Sequence, residues 1–223
     1  LSDHVELAAA PPGFLLVTLT GAAMQALDPL TRVVAAAGGR VLAAEPAAVT
    51  VWLEHGTTPK LFIIATWDSE AAVLTAWGDI APEIAALGCG SALVAIAGAC
   101  LAEGGLPDFP TRENAAPTQS AGPPAYMLIE GTVTAPEPMR RYRDIIFPMI
   151  SARGGYYLVY APRDALTILT GEWGEDALIV SRWPDSAAAV SFWNSDRYQT
   201  VAIPTRAGAG RFSVTLSPGP KAF

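Results

Sequence analysis

The chain carries an internal repeat, and this constrains its fold more than any other feature. Gly38-Gly39 recurs as Gly154-Gly155, Trp67 as Trp183, Ser69-Glu70-Ala71-Ala72 as Asp185-Ser186-Ala187-Ala188, and Trp77 as Trp193, all at one shift of 116. A constant shift means no insertion between the glycine pair and the second tryptophan. Upstream, Phe14 to Val17 aligns with Tyr126 to Ile129 at a shift of 112, so the first copy is four residues shorter there. The reading is a tandem duplication: copies at 13–100 and 126–218, with 101–125 as a linker rich in Pro, Gly, Ala and polar residues. Such a linker is long for a structureless connection.

Periodicity predicts the elements of the second copy. Tyr126 to Val133 reads as a strand, and Met139, Tyr142, Ile146 and Met149 form one helical face after Pro136, which suits a helix start. Pro148 lies inside that pattern, predicting a kink or an early end. Gly154-Gly155 then feeds a strand over 156–160, and strands follow at 165–170 and 177–183. The short strand at Ala165 reads as an addition to the hairpin made by the other two. Asp185 is the expected N-cap of a second helix, and 211–216 closes the unit as a strand. This order is the split βαβ, ferredoxin-like arrangement, an α+β unit with helices on one sheet face. The other face is bare and apolar and must be covered. Two copies in one chain can cover each other, giving an intramolecular α+β barrel, a pseudo-dimer within one chain for which further homo-oligomerisation stays open.

That arrangement accounts for a composition 51% hydrophobic and only 16% charged in 223 residues. No apolar stretch is long enough for a membrane span, and a net charge of -7 with two Lys makes nucleic acid a poor partner. No secretory signal is visible, which points to the cytoplasm, although the chain starts at Leu1. The surfaces of the halves differ. Residues 1–110 hold 3 basic and 11 acidic residues, whereas 111–223 hold 11 and 10, together with all six Tyr. Both His (His4, His55) and both Cys (Cys89, Cys100) fall in the first half. Two Cys eleven apart without a His-rich partner set match no metal spacing and read as free buried thiols, so no metal is expected. Dinucleotide, P-loop, serine-hydrolase and zincin motifs are absent.

Candidate chemistry concentrates in the second copy. Tyr142, Arg143 and Arg182 are the candidate catalytic residues, and Glu130, Tyr156, Tyr160, Trp173, Trp193 and Arg206 the candidate substrate-binding ones. The functional reading is a pocket between sheet and helices, where Tyr hydroxyls and an Arg orient an anionic or carbonyl substrate and stabilise a developing enolate. The competing reading is that the aromatics are ordinary core, with a polar tip on a large apolar body. Strand alternation sends Tyr156 and Tyr160 to one face and Tyr157 to the other. Arg182 either snorkels to an edge or pairs with an inward carboxylate such as Glu130. His55 follows Glu54 and stands where the second copy has Gly171. It reads as a turn histidine or a general base, but adjacent strand residues face opposite ways, which argues against direct Glu54–His55 pairing.

The second copy resembles the family called domain of unknown function 1330, of the dimeric α+β barrel superfamily. The resemblance rests on Tyr126-Met127-Leu128-Ile129-Glu130-Gly131, Arg141-Tyr142-Arg143, Phe147-Pro148, Gly154-Gly155, Thr170-Gly171-Glu172-Trp173-Gly174, Trp183-Pro184-Asp185, Phe192-Trp193 through Tyr198-Gln199, and Arg206-Ala207-Gly208-Ala209. The first copy is diverged, with Pro82-Glu83 opposite Tyr198-Gln199. The resemblance implies the fold. It implies no common reaction, since the wider superfamily collects cofactor-free oxygenases, isomerases, cyclases and, in some branches, haem proteins. A haem ligand would have to be His4 or His55.

These readings converge on a cofactor-independent small-molecule enzyme of lyase, isomerase, cyclase or oxygenase type. Its pocket would lie in the second copy and the first would serve as a structural cover. The alternatives are a non-catalytic small-ligand-binding protein and a purely structural pseudo-dimer.

Overall fold

A computed structural model describes residues 10–46, 50–54, 58–102, 109–120 and 122–218. The first half runs β1 (Gly13–Thr20), α1 (Leu27–Ala36), β2 (Arg40–Ala43), β3 (Val51–Glu54), β4 (Lys60–Trp67), α2 (Glu70–Ala86) and β5 (Leu93–Ala99). The second runs β6 (Ala125–Val133), α3 (Pro136–Ser151), β7 (Tyr156–Pro162), β8 (Thr167–Thr170), β9 (Ala177–Trp183), α4 (Ser186–Trp193), a π-helical turn (Tyr198–Ala202) leading into α5 (Ile203–Arg206), and β10 (Gly210–Pro218). The protein is an α+β fold with two antiparallel five-stranded sheets, ordered β2-β4-β1-β5-β8 and β3-β10-β6-β9-β7. Among the described residues no helix is long and apolar enough to cross a membrane.

The sheets face each other across a shared apolar layer that includes Phe14, Leu16, Phe62 and Ile64 from one and Tyr126, Leu128, Leu178 and Val180 from the other. Helices cover both outer faces. A strand covered on both faces is apolar at successive positions, and β1 is buried from Gly13 to Leu19.

The glycine and tryptophan repeats have one physical cause. Gly38 and Gly154 take φ of +84° and +70°, the left-handed conformation that ends α1 and α3. Each following glycine lies against a tryptophan: a Cβ on Gly39 would stand 2.7 Å from Trp67, and one on Gly155 would stand 2.9 Å from Trp183. The repeated N-caps also match in role. Ser69 accepts from the Ala72 N–H at 3.2 Å and Asp185 from the Ala188 N–H at 2.8 Å.

Three expectations are corrected. The strand at 167–170 does not join the β7–β9 hairpin; β8 crosses to pair with β5, while β3 of the first half crosses to pair with β10. Each sheet is thus completed by a four-residue strand from the other half. Second, α3 does not end at Pro148 but runs to Ser151, because the proline removes a single donor and the last turn is held by Ala152 N–H to the Pro148 carbonyl, 3.0 Å. Third, only Cys100 is buried, while Cys89 is half-buried; both are free. Between β5 and β6 the described chain is irregular yet anchored: Leu101 N–H donates to the Leu158 carbonyl and Tyr157 N–H to that of Pro110, both 2.8 Å.

Candidate functional site

Between the second sheet and its helices lies a mostly apolar cavity of about 70 Å³, walled by Met127 and Ile129 of β6, Ile146 and Ile150 of α3, and Trp193 at the end of α4. Two of its hydroxyls meet in its wall. The hydroxyls of Tyr142 (α3) and Tyr198 (π turn) stand 3.0 Å apart, and Trp193 packs on the Tyr198 ring with centroids 5.0 Å apart. Behind them Arg206 is 8% exposed, its guanidinium 5.5 Å from the Tyr142 ring centroid and 4.7 Å from that of Phe212. Glu54 of β3 grips Arg206 with both oxygens, Nη1 to Oε1 at 3.2 Å and Nη2 to Oε2. The first half therefore holds Arg206, a residue of the second half's cavity wall, through its crossed strand.

The electrostatics follow from burial. Burial pushes Tyr142 and Tyr198 above the ordinary phenol range, and the nearby Arg206 charge pulls both back only in part. Burial works against the Arg206 charge, but the hydrogen-bonded Glu54 carboxylate together with Tyr142 and Tyr198 more than offsets it, and the pKa is raised. Both phenols stay protonated at neutral pH. Their mutual hydrogen bond uses one proton, which leaves the second O–H to donate elsewhere.

The structure brings together Tyr142, Arg143, Tyr160, Trp193 and Arg206, all lining this cavity. It does not bring the remaining candidates there. Tyr156 lies on the opposite face of its sheet under the Arg182 guanidinium, 5.5 Å from the ring centroid, in a groove shared with Arg40 and Tyr126. Glu130 and Trp173 lie between the sheets. The Trp173 indole N–H donates to Glu130 at 2.8 Å, and Lys60 holds the other oxygen at 2.6 Å. The Arg182–Glu130 pairing is corrected accordingly: Arg182 stands opposite Tyr126 and Glu130 opposite Leu178, four residues further along β6.

Tyr160 is corrected too. A bulge in β7 between Tyr157 and Val159 inserts one residue against β9, so parity flips and Tyr160 joins Tyr157 on the helix face, rings 5.2 Å apart. His55 and His4 lie outside the described residues. Among the described residues no group of His, Cys, Asp or Glu is arranged to hold a metal ion.

Sequence reasoning missed Tyr157 and Tyr198 at the cavity, Glu54 against Arg206, and Lys60 beside Glu130. Tyr198 was within reach, since it sits in the Phe192 to Gln199 run, where the 116-residue shift sets Pro82 opposite it.

Two solved structures superpose on this fold at low identity. An anthrone oxidase-like protein superposes with a TM-score of 0.52 at 11% identity, covering 95% of this chain and 92% of its own. A candidate monooxygenase of Fusobacterium nucleatum subsp. nucleatum has a TM-score of 0.50 at 10% identity, covering 96% and 99%. The methylated RPA0582 protein matches 47% of this chain over 93% of its own, with a TM-score of 0.36 at 18% identity. No curated relative matches by sequence. The stretch that builds β6 to β10 and most of the cavity, residues 124–219, matches the family described as Domain of unknown function (DUF1330).

Proposed function

We propose that this chain is a tandem duplication acting as a small-molecule enzyme without a dissociable cofactor, with its active site in the cavity of the second half. The observation that carries the reading is the Tyr142–Tyr198 hydroxyl pair, held in an apolar chamber with Arg206 behind it. One phenol O–H donates to a carbonyl or phenol oxygen of the substrate. The fixed Arg206–Glu54 unit keeps that donor oriented as negative charge develops on the oxygen, a preorganised arrangement of the kind that stabilises enolates and phenolates.

Met127, Ile146 and Trp193 offer a ring-bearing substrate its apolar walls. The chamber adjoins an outer groove of about 380 Å³, and Met139, Arg143, Tyr160, Ile179 and Phe212 line both. Small head groups fit inside while the body lies in the groove, with Arg143 at the divide to take an anionic or carbonyl substituent. Among the described residues no carboxylate or imidazole lines the chamber. The site therefore suits a substrate acidic enough to give its proton to water. This covers the lyase, isomerase, cyclase and oxygenase types.

The same shortage of a base supports a second reading, a binding protein that holds such a ligand unchanged. One experiment separates them. Hydroxyaromatic and ring-ketone compounds, anthrone among them, are tested for quenching of tryptophan fluorescence and for consumption followed by absorbance. Turnover that falls tenfold or more in Tyr142→Phe and Tyr198→Phe, about 1.4 kcal/mol of lost transition-state stabilisation, is the enzyme outcome. Quenching with the compound recovered intact is the binding outcome. Turnover unchanged in the double variant sinks the assigned roles.

A further inference from the structure

Glu130 and Trp173 belong to a second constellation, at one end of the space between the sheets. The inward faces of three strands change character at that end. On β1, Phe14 and Leu16 give way to Thr18 and Thr20; on β4, Ile64 and Phe62 give way to Lys60; on β6, Tyr126 and Leu128 give way to Glu130. The register aligns these switches, with Thr20 opposite Lys60 on one sheet and Glu130 opposite Ser213 on the other. They enclose a polar cavity of about 210 Å³, room for roughly seven waters or one molecule of monosaccharide size. Buried polar groups carry a desolvation cost that apolar residues in the same register would avoid.

Three details point to a ligand. The Thr18 side chain lines the cavity and is 5% exposed, and its hydroxyl has no hydrogen-bond partner among the described residues. The Lys60 ammonium spends one of its three donors, on Glu130, in a pair whose side chains are 17% and 1% exposed. The charges are already balanced: Lys60 is paired with Glu130, and Arg211 with Glu175 at 3.1 Å. Glu172, exposed at the lining, adds negative charge that repels anions, and the spare donors seek oxygen acceptors that an organic cation lacks.

We infer that this polar end of the barrel is a second binding site, for a neutral polyhydroxylated molecule of monosaccharide size. Its oxygens accept from the Lys60 ammonium and exchange hydrogen bonds with the Thr18 hydroxyl. Both halves build the site, Thr18 and Lys60 from the first and Glu130 and Trp173 from the second.

The test uses the full chain with D-glucose, D-ribose and myo-inositol as neutral probes, and acetate and ethylammonium as charged ones. Binding is read by saturation-transfer NMR and calorimetry. At least one neutral probe is expected to bind, with its Kd weakened about tenfold in Thr18→Val and binding abolished in the double variant K60M/E130L, which removes both charges together. The charged probes do not compete. The proposal is overturned if no neutral probe binds at millimolar concentration, if a charged probe binds in its place, or if binding is unchanged in Thr18→Val. That last variant keeps the side-chain shape, so it decides the matter even where the double variant fails to fold.

Discussion

The Glu54 carboxylate accepts from both terminal nitrogens of Arg206, although the two residues stand 152 positions apart and belong to different halves. Strand exchange makes this contact, since β3 pairs with β10, the strand that follows Arg206. The pair is also asymmetric between the halves. At the 116-residue shift Glu54 corresponds to Thr170, which has no carboxylate to offer.

Removing one member of this pair leaves the other charge without its counter-ion. Glu54→Ala strands a guanidinium whose side chain is 9% exposed, and with Glu54 itself 31% exposed we expect a loss of about 2–4 kcal/mol in unfolding free energy. Urea midpoints measure it. The double variant E54L/R206M recovers most of the loss; if it is as unstable as Glu54→Ala alone, the pairing is not the cause.

The two buried phenols set an alkaline limit. Below about pH 10 they are protonated in both folded and unfolded chains and stability is indifferent to pH on their account. Above that, unfolded tyrosines ionise while Tyr142 and Tyr198, with pKa raised by burial, keep their protons, so stability falls as pH rises. The double variant Y142F/Y198F lessens this fall without abolishing it, because Tyr126 and Tyr157 are raised by burial as well. Denaturant midpoints across the alkaline range, with phenolate absorbance alongside, test the sign.

Cys100 acts by the same sign at lower pH. Burial pushes its thiol up to about 12, so its contribution is complete below the ordinary thiol range and drains away as pH climbs towards that value. Cys100→Ala should therefore flatten the early part of the alkaline decline. In the native protein a thiol reagent should label the half-buried Cys89 first and Cys100 only on unfolding. Equal labelling rates would contradict the burial.

The glycine–tryptophan packing predicts matched effects in both halves. Gly39→Ala and Gly155→Ala each drive a methyl into an indole ring and should cost about 1–3 kcal/mol apiece. A scan in which one is neutral would mean that half repacks and the other does not.

Much of the architecture was legible because the signals were local. The glycine pair and the tryptophan behind it recur together since one contact needs both, and Asp185 announces its helix by a cap within three residues. Tyr142, Arg143, Trp193 and Arg206 were readable as site candidates because helices and turns in the half that matches the family carry them.

What sequence alone determined was the kind of most elements between Tyr126 and Leu216 and the α+β class, both of which depend on residue period and neighbouring contacts. Only the tertiary structure decided where β3 and β8 pair, since backbone hydrogen bonds carry no side-chain signature and a four-residue strand satisfies either sheet equally. It also decided the face of Tyr160, because one bulged residue reverses the alternation beyond it. Those two choices put Glu54 behind the phenols and Tyr160 beside them. The site is a product of long-range pairing between halves.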